Sequence, residues 1–301
     1  MDEGSPDRGA PSAGKLSILA TPIGNLQDIT LRALAALREA DLILAEDTRN
    51  TRKLLSRHGV STGLRALHAH SSDAAIERCL KDLEEGKRLA LVTDAGTPLI
   101  SDPGAKLVAA AHARAIAVES VPGPSAVVAA LSVCGLPFDS FRFAGFAPRT
   151  GSKREAWLER IAADPDAAVF FEAPTRLAAT LRDLSARLHP GRGVAVCREL
   201  TKVHEEVVRG TATELAERFA RGTRGEVTVV IAAGDPAEPD APEEAARDLG
   251  PAIAELLARG LSPRDVARTL ARETGLARRE IYGRVLASLK TGPSRPTPDE
   301  P

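Results

Sequence analysis

The eleven residues from Asp94 to Gly104, DAGTPLISDPG, follow directly on the apolar run Arg88–Val92. Two glycines, two prolines, two aspartates and two hydroxyl residues pack poorly in a core and suit a ligand cradle. Gly96 and Gly104 permit positive φ and close backbone approach, while Pro98 and Pro103 stiffen the turn. A preshaped loop of this kind loses little freedom when a small molecule arrives. A plain strand-to-helix turn, with Asp102 as N-cap and Pro103 at the first helical position, accounts only for the second half. The AGTPLIS half points to binding.

Five further loops have similar chemistry. Pro22–Asp28, PIGNLQD, stands where a phosphate loop would sit, but its single glycine, Gly24, argues against a GxGxxG dinucleotide site and is equally consistent with a simple change of direction. Glu46–Arg52, EDTRNTR, gathers two carboxylates and two arginines; Arg49 and Arg52 suit a phosphate or ribose, Asp47 suits a hydroxyl, and a capped helix with surface ion pairs fits equally well. Pro122–Ala126, PGPSA, opens a helix whose first N–H groups can hold polar ligand edges. Phe171–Arg176, FEAPTR, and Arg198–Lys202, RELTK, are comparable strand ends in the second half. There is no GxSxG elbow and no P-loop. The six histidines lack ligand spacing, so no metal is expected.

The elements that must position these loops follow from apolar periodicity. Leu16–Thr21, Asp41–Glu46, Leu64–His70, Arg88–Asp94 and Ile116–Pro122 read as strands alternating with amphipathic helices such as Thr30–Ala40. That is a βαβ pattern and predicts a mostly parallel sheet with helices on both faces. Gly135, Pro137, Gly145 and Pro148 interrupt the periodicity, and a second unit begins. Its strands are expected at 141–146, 167–172, 193–198, 204–209 and 226–233, with helices at 153–163, 175–188 and 211–221. The short step from Arg198 to His204 suggests an antiparallel hairpin, hence mixed pairing. Ligands of open α/β sheets sit at carboxyl strand ends, so a cleft between the two units is the expected site.

The division expected is a tail at 1–14, α/β domains at 15–134 and 135–234, a linker at 235–250, a helical basic domain at 251–290 and a tail at 291–301. In the helical part, Ser262 caps a helix with Pro263 first, Asp265 third and Gly275 closing it. The next helix, 277–289, carries Ile281, Val285 and Leu289 on one stripe, and the pair resembles a helix-turn-helix. Residues 259–290 hold eight basic side chains, including Arg264, Arg268, Arg278 and Arg279, against three acidic ones. This excess favours nucleic-acid contact over a merely solvated face.

Over the whole chain, 40 basic and 41 acidic residues leave a net charge of −1, which argues against wholesale coating of nucleic acid. Cys79, Cys134 and Cys197 lie far apart in or beside apolar runs and are expected as buried free thiols in a reducing cytoplasm. No segment approaches the roughly 18 apolar residues of a membrane helix.

Taken in order, ATPIGNLQDITLRAL, AEDTRNTRKLL, DAGTPLISDPG, PGPSA, GFAPR, FFEAPTR, CRELTKVHEEVVRGT and the terminal helical pair resemble the bacterial 16S rRNA (cytidine-2'-O)-methyltransferases, a branch of the tetrapyrrole-methylase superfamily. The resemblance covers about residues 15 to 290. It implies two αβα domains with S-adenosylmethionine (SAM) in the cleft, a homodimer, and methyl transfer to a ribose hydroxyl of 16S rRNA in the small (30S) subunit. By similarity, Asp94, Gly96, Thr97, Pro98, Leu99, Ile100 and Ser101 hold the cofactor with Ser125, Ala126 and Pro22. Glu172, Ala173 and Pro174 close the pocket from the second domain. Thr175 stands where similar sequences commonly carry histidine, which argues against an imidazole base there. Ala277 replaces a usual serine cap.

For such a transfer the chain must align the methyl group with the 2'-oxygen and draw off the proton. Asp47, Glu199 and Lys202 are the expected bases or orienting groups, with Arg49 on the RNA backbone. With nine aromatic residues in all, shape and phosphate contacts are expected to outweigh base stacking. A tetrapyrrole carbon methyltransferase, or a regulator that only senses SAM, remains an alternative.

Overall fold

The computed structural model describes residues 14–68, 71–100, 104–234, 249–274 and 278–290, without the side chains of 272–274, 278–280 and 290. The chain divides at Ala233/Gly234 into two compact units.

In the larger unit the first sheet comprises β1 (Lys15–Leu19), β2 (Leu42–Ala45), β3 (Leu64–Ala66), β4 (Arg88–Val92) and β5 (Ala117–Val121). Its order is β3-β2-β4-β1-β5 and every pairing is parallel. Strands buried on both faces need apolar side chains at successive positions, and β2 and β4 supply them. Ile43, Ala45, Ala90 and Val92 point to a core shared with α1 (Leu31–Glu39) and α2 (Thr48–Arg57). Leu44, Leu89 and Leu91 point the other way, with Leu80, Leu83 and Leu107 of α3 (Asp73–Glu84) and α4 (Ala105–Ala113). Thr30, Asp47 and Ser72 cap the first three helices through their side-chain oxygens. The strand expected over 64–70 ends at Ala66. The Ser71 hydroxyl accepts from the His68 N–H and turns the chain, and residues 69–70 lie outside the described set.

The second sheet comprises β6 (Phe141–Phe146), β7 (Ala167–Glu172), β8 (Val194–Arg198), β9 (Glu206–Gly210) and β10 (Val227–Ile231), in the order β6-β7-β10-β8-β9. Only β6 and β7 run parallel, and β8 and β9 form the expected hairpin. One face packs on α6 (Ser152–Ala163), α7 (Leu177–Ser185) and α8 (Ala212–Arg218) through Phe170, Val196 and Val229. The opposite face meets α5 (Ala126–Val133), whose Val127, Ala130 and Leu131, with Cys134, form an i, i+3, i+4, i+7 stripe against Val169, Ala195 and Val230. By chain order α5 follows the first sheet, yet its apolar stripe is buried on the second.

The described residues of the smaller unit form three helices: α9 (Gly250–Ala258), α10 (Pro263–Thr274) and α11 (Arg278–Lys290), around Ile253, Val266, Leu270, Ile281 and Val285. Ser262 and Asp265 bond as a cap, as expected, while Gly275 and Ala277 lie outside the described residues. Leu289 is half exposed, so the buried stripe of α11 ends at Val285.

All three cysteines are free and buried. Burial pushes the Cys79 thiol up and the Cys197 thiol up to about 12, so neither presents a thiolate near neutral pH. Titration with an aromatic disulfide at pH 8 should detect almost no fast-reacting thiol in the native protein and all three in denaturant. A rapid native reaction of Cys197 would contradict its place on β8 beneath α5.

Candidate active site

The carboxyl ends of β1, β4 and β5 meet the second sheet at a cavity of about 370 Å³, within the range of small-molecule sites. Asp94, Gly96, Thr97, Ile100, Ser125 and Ala126 line it from the first sheet, and Glu172, Ala173 and Pro174 from the second. Pro22, Pro98 and Leu99 are not part of the lining, and Ser101 lies outside the described residues. The sequence analysis missed Ile23, Val127, Phe146, Phe171 and the stretch Gly225–Thr228. The last omission has a topological cause. Strand β10 runs antiparallel to β7, so its amino end reaches the same rim as the carboxyl end of β7.

The loop after β4 is held by reciprocal backbone bonds: the Thr21 N–H donates to Gly96 O (2.9 Å) and the Gly96 N–H to Thr21 O (3.0 Å). Gly96 sits at φ +82°, and Leu99 holds a left-handed φ of +74° without being glycine, a strained state that surrounding packing must enforce. The Thr21 hydroxyl donates to Thr93 O at 3.0 Å and the Thr97 hydroxyl to Pro124 O at 3.4 Å. Helix α4 begins after Gly104 rather than at 102–103, so Asp102 and Pro103 lie ahead of it, outside the described set.

Asp94 also anchors the EDTRNTR segment. Its carboxylate accepts from the Asp47 N–H (3.1 Å) and from Asn50 Nδ2 (2.9 Å). Asp47 itself caps α2 and pairs with Arg49 at 2.8 Å. The hydrogen bonds from the Arg49 guanidinium and amide hold the Asp47 carboxyl down at about 2. Arg49 is largely exposed and Arg52 is exposed.

On the second sheet, Glu172 is a fully buried carboxylate that accepts from the Ala173 N–H, Arg176 (both 2.6 Å) and the Thr180 hydroxyl (2.5 Å). Arg154 extends the chain of bonds to Thr180 and Asp183. A buried charge needs such partners, and here they fix the FEAPTR turn that walls the cavity. Thr175 is exposed beside it.

Glu199 and Lys202 stand behind the wall rather than in it. Lys202 Nζ pairs with Glu199 at 2.8 Å and with Glu226 at 3.0 Å, and Glu199 also accepts from the Glu226 N–H at 2.9 Å. The Lys202 bond, then the Glu226 amide, draws the Glu199 carboxyl below the usual range. Partial burial pulls the Lys202 ammonium down, but its bonds to both carboxylates carry it above its ordinary value. Glu199 and Thr201 adopt left-handed φ of +51° and +66°. Across from them, a side chain on Gly24 would strike Lys202 and Thr201 within 2.5–2.7 Å, and the Asn25 N–H donates to Thr201 Oγ1. None of Asp47, Glu199 and Lys202 lines the cavity.

A second cleft, of about 230 Å³, takes in the first residues of β1 and β4. Its charged groups answer one another, Lys15 with Glu119 at 2.9 Å and Arg88 with Glu39 at 3.4 Å. In the smaller unit Arg264 and Arg268 are exposed, Arg268 paired with Asp265, while the side chains of Arg278 and Arg279 are outside the described set. Among the described residues no cluster of His, Cys, Asp and Glu suits a metal ion, and no helix is long and apolar enough to cross a membrane.

The family of Tetrapyrrole (Corrin/Porphyrin) Methylases matches residues 15–216. A Ribosomal RNA small subunit methyltransferase I from Xylella fastidiosa is 44% identical over 271 residues, covering 90% of this chain and 98% of that protein. The protein of the same name from Mycobacterium tuberculosis strain H37Rv is 42% identical over 290 residues, 95% of this chain and 100% of its own. That of Thermotoga maritima is 47% identical over 201 residues, 67% of this chain and 90% of its own. Among solved structures, cobalt precorrin-4 methyltransferase superposes with a TM-score of 0.56 at 20% identity, over 74% of this chain and 96% of that one. Diphthine synthase gives 0.56 at 15% identity, over 73% and 90%. The structural likeness carries the two-sheet fold, the sequence likeness carries the lineage, and on both this chain belongs to the tetrapyrrole methylase family.

Proposed function

We propose that this chain is a SAM-dependent methyltransferase that methylates the 2'-oxygen of a cytidine ribose in 16S rRNA of the small ribosomal subunit, acting as a homodimer in the cytoplasm. The observation that carries it is the cavity between the two sheets. Six loops whose residue types suited a small ligand surround or directly brace it. Its lining combines a glycine cradle at Gly96, the hydroxyls of Thr97 and Ser125, the Asp94 carboxylate and an apolar wall at Ile23, Val127 and Phe171. That set suits a nucleoside carrying a charged amino-acid tail. Bound SAM supplies an electrophilic methyl on sulfur.

The chain's task is then alignment and proton removal. Asp94 fixes the start of α2 beside the cavity, and the Glu199–Lys202–Glu226 group fixes Gly225 and Glu226. Lys202 is charged at neutral pH and Asp47 is capping α2, so both serve as orienting groups rather than as the base. Arg49 and Arg52, on α2 beside the Asp94 wall, and Arg264, Arg268, Arg278 and Arg279 of the smaller unit contact the RNA backbone in this reading. Relatives at 41–47% identity carry the rRNA name, whereas the tetrapyrrole enzymes among solved structures stand at 21% or below and share the fold. A relative matched over nine-tenths of its length by 201 residues is shorter than residues 15–290 of this chain, which supports placing the chemistry in the α/β unit.

Purified protein given labelled SAM and small ribosomal subunits should label the RNA, and mass mapping should find one methyl on a ribose at an alkali-resistant linkage. Label on a base, or none at all, would refute this function. Gly225 has a φ of +86°, and a Cβ there would lie 2.4 Å from Glu199 Cδ, so Gly225→Ala should weaken SAM binding by about tenfold or more in calorimetry. Arginine cannot act as a base below about pH 12. Lys202→Arg should therefore keep turnover within about tenfold of the parent, by the roughly 0–1 kcal/mol scale of a partly exposed ion pair. Loss of all turnover would restore Lys202 as the base. The lowered Glu199 pKa makes its share of the wall's stability present above the carboxylate range and lost on acidification. The raised Lys202 pKa makes its share present below about pH 10.4 and lost on further rise. The pair's share of thermal stability, read as the melting-temperature difference between the parent and Glu199→Gln, should accordingly stay flat from about pH 5 to pH 10.

A further inference from the structure

Six of the seven phenylalanines, Phe138, Phe141, Phe143, Phe146, Phe170 and Phe171, lie on or beside the neighbouring strands β6 and β7. The low aromatic content of the chain therefore conceals a local concentration. Phe143 and Phe146 both meet Phe171 edge-on, with centroids 5.0 and 5.2 Å away. Residues three apart on a regular strand face opposite ways. Here the ladder slips: Phe143 pairs with Val169 and Phe146 with Phe171, so three steps on β6 oppose two on β7. Gly145, at φ +67°, supplies the bulge. The bulge turns Phe146 onto the Phe171 side, where its ring joins the cavity lining. The segment is then held, since the Ala147 N–H donates to Phe171 O at 3.0 Å and Arg176 donates to Ala147 O at 3.2 Å.

Packing does not require this arrangement. Phe146 remains 61% exposed, and Phe143 already covers Phe171. A large ring kept wet at the rim of a cavity is available to a flat apolar partner.

We infer that Phe146 is the stacking platform for the nucleobase of the RNA nucleotide being methylated. This rests on the proposed ribose methylation. The cavity has the size of a single nucleoside-like ligand, so the acceptor sugar must lie at its mouth. The base hangs from the ring carbon next to the one bearing the reacting hydroxyl, so a sugar placed there carries its base across the rim. Proteins commonly hold an unstacked RNA base against an aromatic face, in a manner tolerant of base identity. Phe146 would fix the ribose through the base, as a positioning residue that touches substrate.

The test uses the full-length protein with small ribosomal subunits and compares Phe146→Ala, Phe146→Leu and Phe146→Trp. Stacking losses of this kind correspond to roughly 5- to 150-fold in affinity. Phe146→Ala and Phe146→Leu should raise KM for the subunits by about that factor, and Phe146→Trp should stay near the parent. SAM affinity by calorimetry should change by less than about twofold in all three, and the ratio of variant to parent KM should not move with salt, unlike a phosphate contact. An unchanged KM in Phe146→Ala, or a Phe146→Leu protein equal to the parent, overturns the platform. A parallel loss of SAM affinity makes Phe146 a wall of the cofactor pocket and also overturns it. Failure of the parent protein to methylate the RNA would instead remove the proposed function itself, a distinct result visible in the first arm.

Discussion

The reciprocal backbone bonds between Thr21 and Gly96 are the constraint on which the site depends. A loop leaving β4 has to cross the end of its neighbour β1 before it can feed α4 and return to β5 on the far side. Two N–H groups and two carbonyls are satisfied by each other in an antiparallel bridge that stands apart from the strands of both sheets. Gly96 meets this with a left-handed φ, and the strain at Leu99 is retained because Thr97 and the core beneath hold both sides of it. Once the loop is set, Asp94 is aimed at the start of α2, and the second strand's charged end is drawn to the same rim.

The second sheet is fixed to this rim by packing more than by charge. The stripe on α5 is buried against β7, β8 and β10, and Ile23 from the first loop joins the same cluster. Gly24 allows the backbones of the two halves to touch, since any side chain there would meet Lys202 and Thr201. The cavity therefore has walls from both sheets within one compact unit, and its floor is the start of the helix that joins them.

Electrostatics in the wall have been committed to geometry. Glu172 is fully engaged by Arg176, Thr180 and the Ala173 amide, and Lys202 by two carboxylates. Removing one partner from such a group leaves the other uncompensated, so these pairs define the shape of the loops they close. It follows that charged residues gathered at strand ends in a sequence are as apt to brace a pocket as to react in it.

The sequence by itself determined the two sheets, their helices and most of the cradle, because apolar period and glycine-proline placement are local properties that tertiary packing had no reason to override. DAGTPLISDPG, PGPSA and FEAPTR were legible for that reason. What only the tertiary structure decided was relational. The direction of β10 brought Gly225–Thr228 to the rim, the bulge at Gly145 turned Phe146 into the cavity, and the fold paired Glu199 with Lys202. Strand direction, register and ion-pair partners all depend on contacts between residues distant in the chain, and a linear pattern of residue types does not encode which of the possible contacts is made.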